Sequence, residues 1–240
     1  MSNEIKALLV DDSRLARKEL NHLLSQHPEV NVIGEVESGQ EAINWLNDNE
    51  VDVMFLDIQM PGMDGFELLQ QLDHTPQVIF VTAFDQYAIK AFQHNALDYL
   101  QKPIEPNDLK RALSKLKIKN KTSLKPNNKQ LSESDQVFVK DGDSCWFVEV
   151  ADIRLLEVDG NYTTLHFNDQ HPMIAKTLNH LAERLDSELF FRANRNQLIN
   201  LKHINSVEPW LQGIRIELTG GEKVELSRRQ TQKFKELMSL

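Results

Sequence analysis

The sequence IKALLVDDS, residues 5–13, decides the architecture that we predict for the first half of the chain. Its six mostly aliphatic residues, Ile5–Val10, are typical of a buried β-strand, and the run ends abruptly at Asp11 and Asp12. Ser13 is a favourable N-cap residue, and leucines at helical spacing follow it. The stretch therefore predicts a strand whose carboxyl end carries acidic side chains and leads directly into a helix.

The same alternation of a short apolar strand and an amphipathic helix continues to residue 117. Further strands are predicted at 30–36, 51–56, 78–81 and 98–100, and further helices at 40–46, 65–72, 86–93 and 106–117. Five strands that alternate with five helices favour a parallel sheet with helices on both faces. We therefore predict an α/β doubly wound domain with a five-stranded parallel sheet over residues 1–117.

The pattern changes after residue 117. Residues 118–134 are polar and lack apolar periodicity, which predicts a basic linker whose lysines are either solvated or contact phosphate groups. From 135 to 240, short β-type runs are separated by turn signals such as Asp141-Gly142 and Gly220-Gly221, with helices predicted only at 177–185 and 228–238. This second half predicts a separate, mostly antiparallel β domain.

Composition is typical of a globular protein built on hydrophobic cores. Hydrophobic residues make up 40% and charged residues 26% of the 240 residues, which is too apolar a mixture for a disordered protein. No apolar run is long enough for a transmembrane helix and the first residues do not resemble a secretory signal, so we expect a cytoplasmic protein. The single cysteine, Cys145, excludes an intramolecular disulfide framework and a cysteine-based zinc site.

The net charge of −9 is unevenly distributed along the chain. Residues 1–116 hold 19 acidic and 9 basic side chains, whereas residues 117–240 hold 17 acidic and 18 basic ones. Five of those basic residues are lysines between 117 and 129, and residues 130–240 alone hold 17 acidic and 13 basic side chains. Because nucleic-acid-binding domains usually carry a basic excess, DNA binding has to depend on a local patch here.

Polar side chains follow four of the predicted strands. Asp11 and Asp12 end the first strand and Asp57 ends the third, so three carboxylates converge if these strands are neighbours. Such close like charges need a counter-ion, and Mg²⁺ is the hard divalent cation that oxygen ligands suit. Thr82 and Lys102 end the fourth and fifth strands and offer a hydroxyl and an ammonium group. Each residue alone is consistent with a cap or turn, but the joint pattern predicts phosphoryl transfer to Asp57.

Residues 3–117 resemble the receiver domain of two-component response regulators. The resemblance is carried, in the family's order, by LLVDDS (8–13), LDIQMPGMDGFELL (56–69), VTA (81–83) and DYLQKP (98–103). It implies a flavodoxin-like fold with Asp57 as the phosphoacceptor. It also implies that Asp11, Asp12 and Asp57 hold Mg²⁺, with the backbone carbonyl of Gln59 completing the metal shell.

The same resemblance assigns roles to the residues that follow the fourth and fifth strands. Lys102 pairs with the phosphoryl group, and its bond to Pro103 is expected to be cis, which a following proline allows. Thr82 and Tyr99 form the switch, in which phosphorylation draws Thr82 inward and Tyr99 follows; a plain core role for Tyr99 is the alternative. The surface that changes is a candidate dimer face and includes Tyr87, Ile89, Ala91 and Phe92.

Two positions that tune phosphoryl hydrolysis in receivers are Gln59 and Phe84 in this sequence. They lie two residues after the phosphoacceptor and two after the threonine. Phe84 has no group that positions a water molecule, which predicts slow self-dephosphorylation; the alternative is that Phe84 only packs against the next helix. A phosphoryl half-life that Phe84→Glu leaves unchanged would exclude the first interpretation.

Residues 136–240 contain no catalytic pattern, no helix-turn-helix and no metal-ligand spacing among the histidines at 166, 171, 180 and 203. Two segments are unusual. FFRANRNQLINLKHI (190–204) sets arginines and amides between apolar anchors, and LSRRQTQKFKEL (226–237) sets two arginines at the start of the last predicted helix. By themselves, these segments favour polar loops in which the arginine side chains lie across apolar surface. Arginine and amide side chains can also form hydrogen bonds with the edges of DNA bases.

Residues 135–240 also resemble the LytTR-type DNA-binding domain. The shared pattern is F-x-R-x-x-R-x-x-x-(I/V)-N-x-x-(H/N)-I, followed by SRR and preceded by EVDGNYTTL (157–165). In that family an elongated β domain inserts loops and helix-start residues into successive major grooves. The resemblance implies that Arg195 and Arg229 are the main DNA contacts. The loop from Asn161 to Thr164 ranks next, followed by Asn196 and Gln197. Three further residues brace loops or touch phosphate: Arg192, Arg228 and Asn200.

Position 194 is Asn where relatives often carry His, which leaves its role open. Over its whole length the chain resembles the BtsR/YehT-like branch of these regulators, through FLDIQMP, TAFDQYAIKAF and the SRRQ segment.

The sequence thus predicts a transcriptional regulator of a two-component system: a receiver (1–117), a linker (118–134) and a LytTR-type domain (135–240). A membrane sensor histidine kinase would phosphorylate Asp57, the receivers would dimerise, and the output domains would bind promoter DNA, with RNA polymerase as a further candidate partner. Enzymatic chemistry is expected only in self-phosphorylation and dephosphorylation. The alternative is a receiver-controlled adaptor whose β domain binds a protein; the acidic excess in 130–240 favours it, and the placement of Arg195 and Arg229 opposes it.

Overall fold

The computed structural model describes residues 4–83, 98–116, 130–142, 144–211 and 213–238. The chain divides into two compact units: the first comprises residues 1–125, 136–138 and 143–147, and the second comprises residues 126–135, 139–142 and 148–240. The predicted helix at 86–93, Phe84, the candidate dimer face and most of the predicted linker lie outside the described residues. Within those ranges, no helix combines the length and the apolar character needed to cross a membrane.

A parallel sheet forms the centre of the first unit. Its strands are Ile5–Val10 (β1), Val30–Val36 (β2), Val53–Leu56 (β3), Gln77–Thr82 (β4) and Asp98–Gln101 (β5). They lie in the order β2-β1-β3-β4-β5, and all pairings are parallel. The described helices are Arg14–Leu24 (α1), Gly39–Asp48 (α2), Gly65–Gln71 (α3) and Pro106–Ser114 (α4). The predicted doubly wound α/β fold is confirmed.

Both faces of this sheet are buried. Leu8 and Met54 pack on the side of α2 and α3, whereas Leu9 and Phe55 pack on the side of α1 and α4. Successive side chains of a strand point to opposite faces, which explains why the central strands are almost continuously apolar. Polar side chains therefore lie at the strand ends, and those at the carboxyl edge can form a site.

Local signals start the helices at this edge. The Oγ of Ser13 accepts a hydrogen bond from the Ala16 N–H at 3.3 Å, and Asp64 and Glu67 form a capping box at the start of α3. The backbone at Gly65 lies so close to Asp57 that a Cβ at position 65 would be 2.6 Å from the Asp57 carbonyl oxygen, which explains the glycine there. Helix α3 thus begins directly against the backbone of the predicted phosphoacceptor.

Most of the remaining strands pair in antiparallel fashion. Gln136–Asp141 (β6) and Ser144–Glu149 (β7) form a two-stranded sheet. The next strands are Leu155–Asp159 (β8), Tyr162–His166 (β9), Met173–Ile174 (β10), Phe190–Arg192 (β11) and Gln197–Asn200 (β12), and they form a sheet in the order β10-β9-β8-β12-β11. A second sheet follows chain order: Ile204–Trp210 (β13), Gly213–Leu218 (β14) and Lys223–Glu225 (β15). The described helices of the second unit are Leu178–Arg184 (α5) and Arg228–Leu237 (α6). The mostly antiparallel β domain is confirmed.

Residues 190–204, whose sequence by itself favours a polar loop, contain two of these strands, β11 and β12. β12 lies between β8 and β11, and its Leu198, Ile199 and Asn200 are all buried. Asn200 is fully buried, and hydrogen bonds compensate the burial of its polar side chain. Its amide donates to the carbonyl of Ile153 at 3.0 Å, and its Oδ1 accepts from the Lys202 N–H at 3.0 Å. Asn200 therefore braces the strand end, which is one of the two roles that the sequence leaves open for it.

A shared core joins the two sheets of the second unit. Leu155 and Ile199 from the larger sheet pack with Ile216 from the smaller one and with the fully buried Phe234 of α6. At the edge of this core, Arg154 donates from Nε and Nη2 to one carboxylate oxygen of Glu222, at 3.2 and 2.7 Å. The turn between β14 and β15 is thereby fixed to the start of β8.

Candidate functional site

Strand order brings the predicted carboxylates together in the first unit. β1 and β3 are neighbours, and the N–H of Asp57 donates to the carbonyl of Val10 at 2.8 Å. Carboxylate oxygens of Asp11, Asp12 and Asp57 lie within 4.8 Å of one another. Asp11 and Asp57 are buried and Asp12 is exposed. This acidic pocket offers oxygen donors only, which is the chemistry that Mg²⁺ prefers.

Lys102 lies between the two buried carboxylates. Its Nζ is 2.7 Å from an Asp11 oxygen and 2.6 Å from an Asp57 oxygen. Burial alone would lower the pKa of Lys102, but hydrogen bonds and charge attraction from Asp11 and Asp57 raise it above its ordinary value. The ammonium group is therefore held in its charged form beside Asp57. The Lys102–Pro103 peptide bond is cis, as the sequence predicts.

The two predicted switch residues lie on neighbouring strands. Thr82 is fully buried at the end of β4, and its carbonyl accepts from the Lys102 N–H at 3.0 Å. Tyr99 is half-buried in β5, pairs with Phe80 and packs against the core on the side of α2 and α3. The exposed Gln59 donates its N–H to Asp57 Oδ1 at 3.2 Å. The switch and the carbonyl ligand stay predictions.

Arg17 is a residue of the pocket region that the sequence analysis misses. It lies on α1 and donates from Nη1 to the backbone carbonyl of Asp11. Its guanidinium also lies 3.7 Å from Glu35 and 3.8 Å from Glu37, at the end of β2, and only 11% of its side chain is exposed. Arg17 thus holds the loop that carries the acidic pair. No motif marks it, because its partners are distant in sequence.

In the second unit, three elements enclose a groove of about 530 Å³. We call it the arginine groove. One wall is α5, the second is the loop between β11 and β12, and the third is the start of α6; the lining residues include Arg192, Arg195 and Arg229. The structure therefore brings together the two arginines that the sequence ranks first.

A hydrogen-bonded clamp fixes the loop to the start of α6. The side-chain amide of Asn194 donates to the Glu225 carbonyl at 2.9 Å and to Gln197 Oε1 at 2.7 Å, while its Oδ1 accepts from the Asn196 N–H at 2.9 Å. The Ser227 N–H donates to the Ala193 carbonyl at 3.1 Å. Position 194, whose role the sequence leaves open, is therefore a brace.

Arg192 also supports this loop from inside. Its Nε donates to the Asn194 carbonyl at 2.8 Å, and its Nη2 donates to the Arg195 carbonyl. Burial lowers the pKa of the Arg192 guanidinium. Gln197 is engaged as well, since its amide donates to Glu157 Oε1 at 2.7 Å. Both side chains brace the loop in this structure.

Several of the other predicted contact residues do not line the groove. Arg195, Asn196, Arg228 and Arg229 are exposed, and Arg228 does not line the groove. Asn161 is exposed in the turn between β8 and β9, and Thr164 is half-buried in β9; neither lines the groove. The Val158 N–H donates to the Asn196 carbonyl at 2.8 Å, so this end of β8 adjoins the β11–β12 loop.

Known families match both parts of the chain. The response regulator receiver domain matches residues 7–114, and the LytTr DNA-binding domain matches residues 143–239. Both family resemblances drawn from the sequence are thereby confirmed. The finer resemblance to the BtsR/YehT-like branch stays a prediction.

Several proteins are similar to this chain over its length or over one part of it. A sensory transduction protein named LytT from Enterococcus faecalis is 34% identical over 97% of this chain and 98% of its own length. An uncharacterized response regulatory protein from Vibrio cholerae is 35% identical over 98% of this chain and 98% of its own. The crystal structure of the response regulatory domain of protein mrkE from Klebsiella pneumoniae covers 47% of this chain and 94% of that chain, at 35% identity and a TM-score of 0.42.

Proposed function

The chain belongs to the response regulators that combine a receiver domain with a LytTr DNA-binding domain, and on this basis we propose that it is a transcriptional regulator controlled by phosphorylation of Asp57. The observation that carries the proposal is Lys102, whose Nζ lies within 2.7 Å of both Asp11 and Asp57. Two buried carboxylates with a cation between them, beside the exposed Asp12, form a site that can bind a phosphoryl group and a divalent ion. Carboxylates that only cap helices would not need to converge in this way.

Asp57 is the nucleophile of this proposal. One of its carboxylate oxygens forms a bond to the phosphorus of a phosphohistidine on a membrane sensor kinase while the P–N bond breaks. The electron pair returns to the histidine nitrogen, which takes up a proton. Lys102 stays protonated and neutralises charge on the phosphoryl oxygens.

Asp11, Asp12 and Asp57, with the carbonyl of Gln59, would hold the magnesium ion. When bound, Mg²⁺ neutralises negative charge on the transferred group and on the carboxylates around it. Arg17 acts on the same loop through the backbone, because it fixes the Asp11 carbonyl and leaves the acidic side chains directed into the pocket.

The output of the proposed switch is DNA binding. Thr82 and Tyr99 transmit phosphorylation to the receiver surface, and dimerisation there brings two output domains onto one promoter. Arg195 and Arg229 supply the main contacts, because both are exposed and line one groove. Promoter binding implies that the protein acts in the cytoplasm, with RNA polymerase as a candidate partner.

The proposal is tested by measuring DNA binding with Mg²⁺ and acetyl phosphate, with each alone, and with neither. Genomic fragments are the probe, and two salt concentrations separate specific from non-specific binding. We expect the donor with Mg²⁺ to tighten binding, Asp57→Asn to abolish the tightening, and Arg195→Ala to weaken binding with or without the donor.

Two other results would change the proposal. Specific binding that ignores the donor would keep the DNA function and make the receiver a passive dimeriser. No specific binding under any condition would favour the adaptor, in which residues 130–240, with their acidic excess, bind a protein partner.

A further inference from the structure

One wall of the arginine groove carries an acidic side chain that DNA binding alone does not require. Asn179, Ala182 and Glu183 line this wall, and their spacing puts them on one face of α5. Arg192, Arg195 and Arg229 line the same groove. A carboxylate in a groove that accepts a polyanion repels phosphate, so Glu183 weakens any binding that depends on charge alone.

Local helix stability does not account for Glu183. It lies in the last turn of α5, where a negative charge opposes the helix dipole. The residues three and four positions before it are His180 and Asn179, and neither is a lysine or arginine that would form a stabilising pair along the helix. Glu183 is also exposed, so it contributes little to the core.

Base recognition gives this carboxylate a use. In the major groove a glutamate accepts a hydrogen bond from the N4 amino group of cytosine, whereas arginine donates to guanine. A groove with guanidinium groups on two walls and one carboxylate on the third therefore presents donors and an acceptor to base edges.

We propose that Glu183 is a specificity-determining residue of the DNA interface, one that reads a cytosine amino group and lowers affinity for unrelated DNA. The inference rests on the proposed function and extends the interface to α5, a helix that the sequence analysis does not assign to DNA. Arg195 and Arg229 supply most of the affinity, and Glu183 supplies selectivity at one base pair.

The test compares Glu183→Gln with Glu236→Gln in the full-length protein. Glu236 is a matched control, because it is likewise an exposed glutamate in the last turn of a helix, here α6, and does not line the groove. Both changes remove one negative charge. Each variant is used to select duplexes from a random-sequence pool, and affinities for the selected and an unrelated duplex are then titrated.

We expect wild type and Glu236→Gln to select the same sequence. Glu183→Gln should lose about tenfold of the preference for cytosine at one position, shift toward adenine there, and bind unrelated DNA more tightly than the control does. An unchanged sequence preference for Glu183→Gln would overturn this inference while leaving the proposed function intact. A wild-type protein that selects no sequence would overturn both.

Discussion

The acidic pocket and the arginine groove both gather charge, but they do so in different ways. In the pocket, buried carboxylates and one lysine lie at the ends of adjacent parallel strands, and each side chain contacts the others within a few ångströms. In the groove, exposed arginines come from a loop and a helix start, and the hydrogen bonds of Asn194 and Ser227 tie these two segments together. The pocket should therefore fail as a unit when one member is removed, whereas the groove should lose affinity in steps.

Asp57→Asn is the sharpest break of the pocket. We expect complete loss of acetyl phosphate-dependent phosphorylation, since an amide oxygen is too weak a nucleophile for phosphorus. Phosphate-affinity gel shifts measure the result. Asp48→Asn, which changes an exposed aspartate at the end of α2, should be phosphorylated like wild type. Phosphorylation that persists in Asp57→Asn would exclude this residue as the acceptor.

Lys102→Met tests whether the pocket is interlocked. Removing the cation leaves Asp11 and Asp57 facing each other, so in Mg²⁺-free buffer we expect the free energy of unfolding to fall by about 3 kcal/mol, the lower end for a broken buried ion pair. Added Mg²⁺ should stabilise the variant more than wild type. Urea unfolding with and without Mg²⁺ gives both values. Lys110→Met, an exposed change on α4, should have little effect, and an equal loss there would contradict the interlocked pocket.

Arg195→Ala and Arg229→Ala test whether the groove is graded. Each should weaken specific DNA binding by roughly 5- to 150-fold, because one good base contact contributes about 1–3 kcal/mol, and the double variant should lose about the product. Titration at several salt concentrations measures the effect. Lys233→Ala, on the exposed part of α6 outside the groove, is the control. A single change that abolishes binding completely would make the groove resemble the pocket.

The smallest expected effect concerns pH in the second unit. Burial is the largest effect that lowers the pKa of His166 below its ordinary 6.5, and the neighbouring His171 lowers it further. Glu157 and Glu222 raise the pKa by attracting the charged form, whereas Arg154 lowers it. Because the pKa of His166 is lower in the folded than in the unfolded protein, the unfolded state takes up a proton first as the pH falls. The free energy of unfolding is therefore unaffected by His166 above pH 6.5 and decreases as the pH falls from 6.5 toward the lowered pKa.

Urea unfolding of the second-unit transition on either side of pH 6.5 measures this loss. His166→Asn should remove it, while His180→Asn, at an exposed position on α5, should keep it. A loss confined to pH values below 4.5 would instead indicate Glu222. Burial by itself would raise the pKa of Glu222, but hydrogen bonds from Arg154 and the backbone, together with the charges of Arg154 and His166, lower it.

The two regions also differ in how far the sequence predicts them. In the first unit, alternation of strand and helix fixes a parallel sheet, and a parallel sheet brings the strand ends that carry Asp11, Asp57 and Lys102 to one edge. Local pattern is therefore enough to place the pocket. Arg17 is missed because its role depends on Glu35 and Glu37 at the end of another strand.

In the second unit, antiparallel pairing joins segments in an order that local pattern does not specify. β12 is missed because Asn200 makes a buried central strand resemble a polar loop. The α5 wall of the groove, with Glu183, depends on how a helix packs beside a loop that comes later in the chain. Arg195 and Arg229 are found only through the family resemblance, because an exposed arginine by itself has no distinctive pattern.

The clamp around Asn194 has a thermodynamic consequence. Because Asn194 and Ser227 tie the β11–β12 loop to the start of α6, the backbones that carry Arg195 and Arg229 are already ordered in the free protein. The conformational entropy lost on binding is then small, and more of the contact energy appears as affinity. If Arg195 and Arg229 contact DNA as we propose, this preorganisation lets a domain with an acidic excess bind with few cations, where a flexible loop would need many.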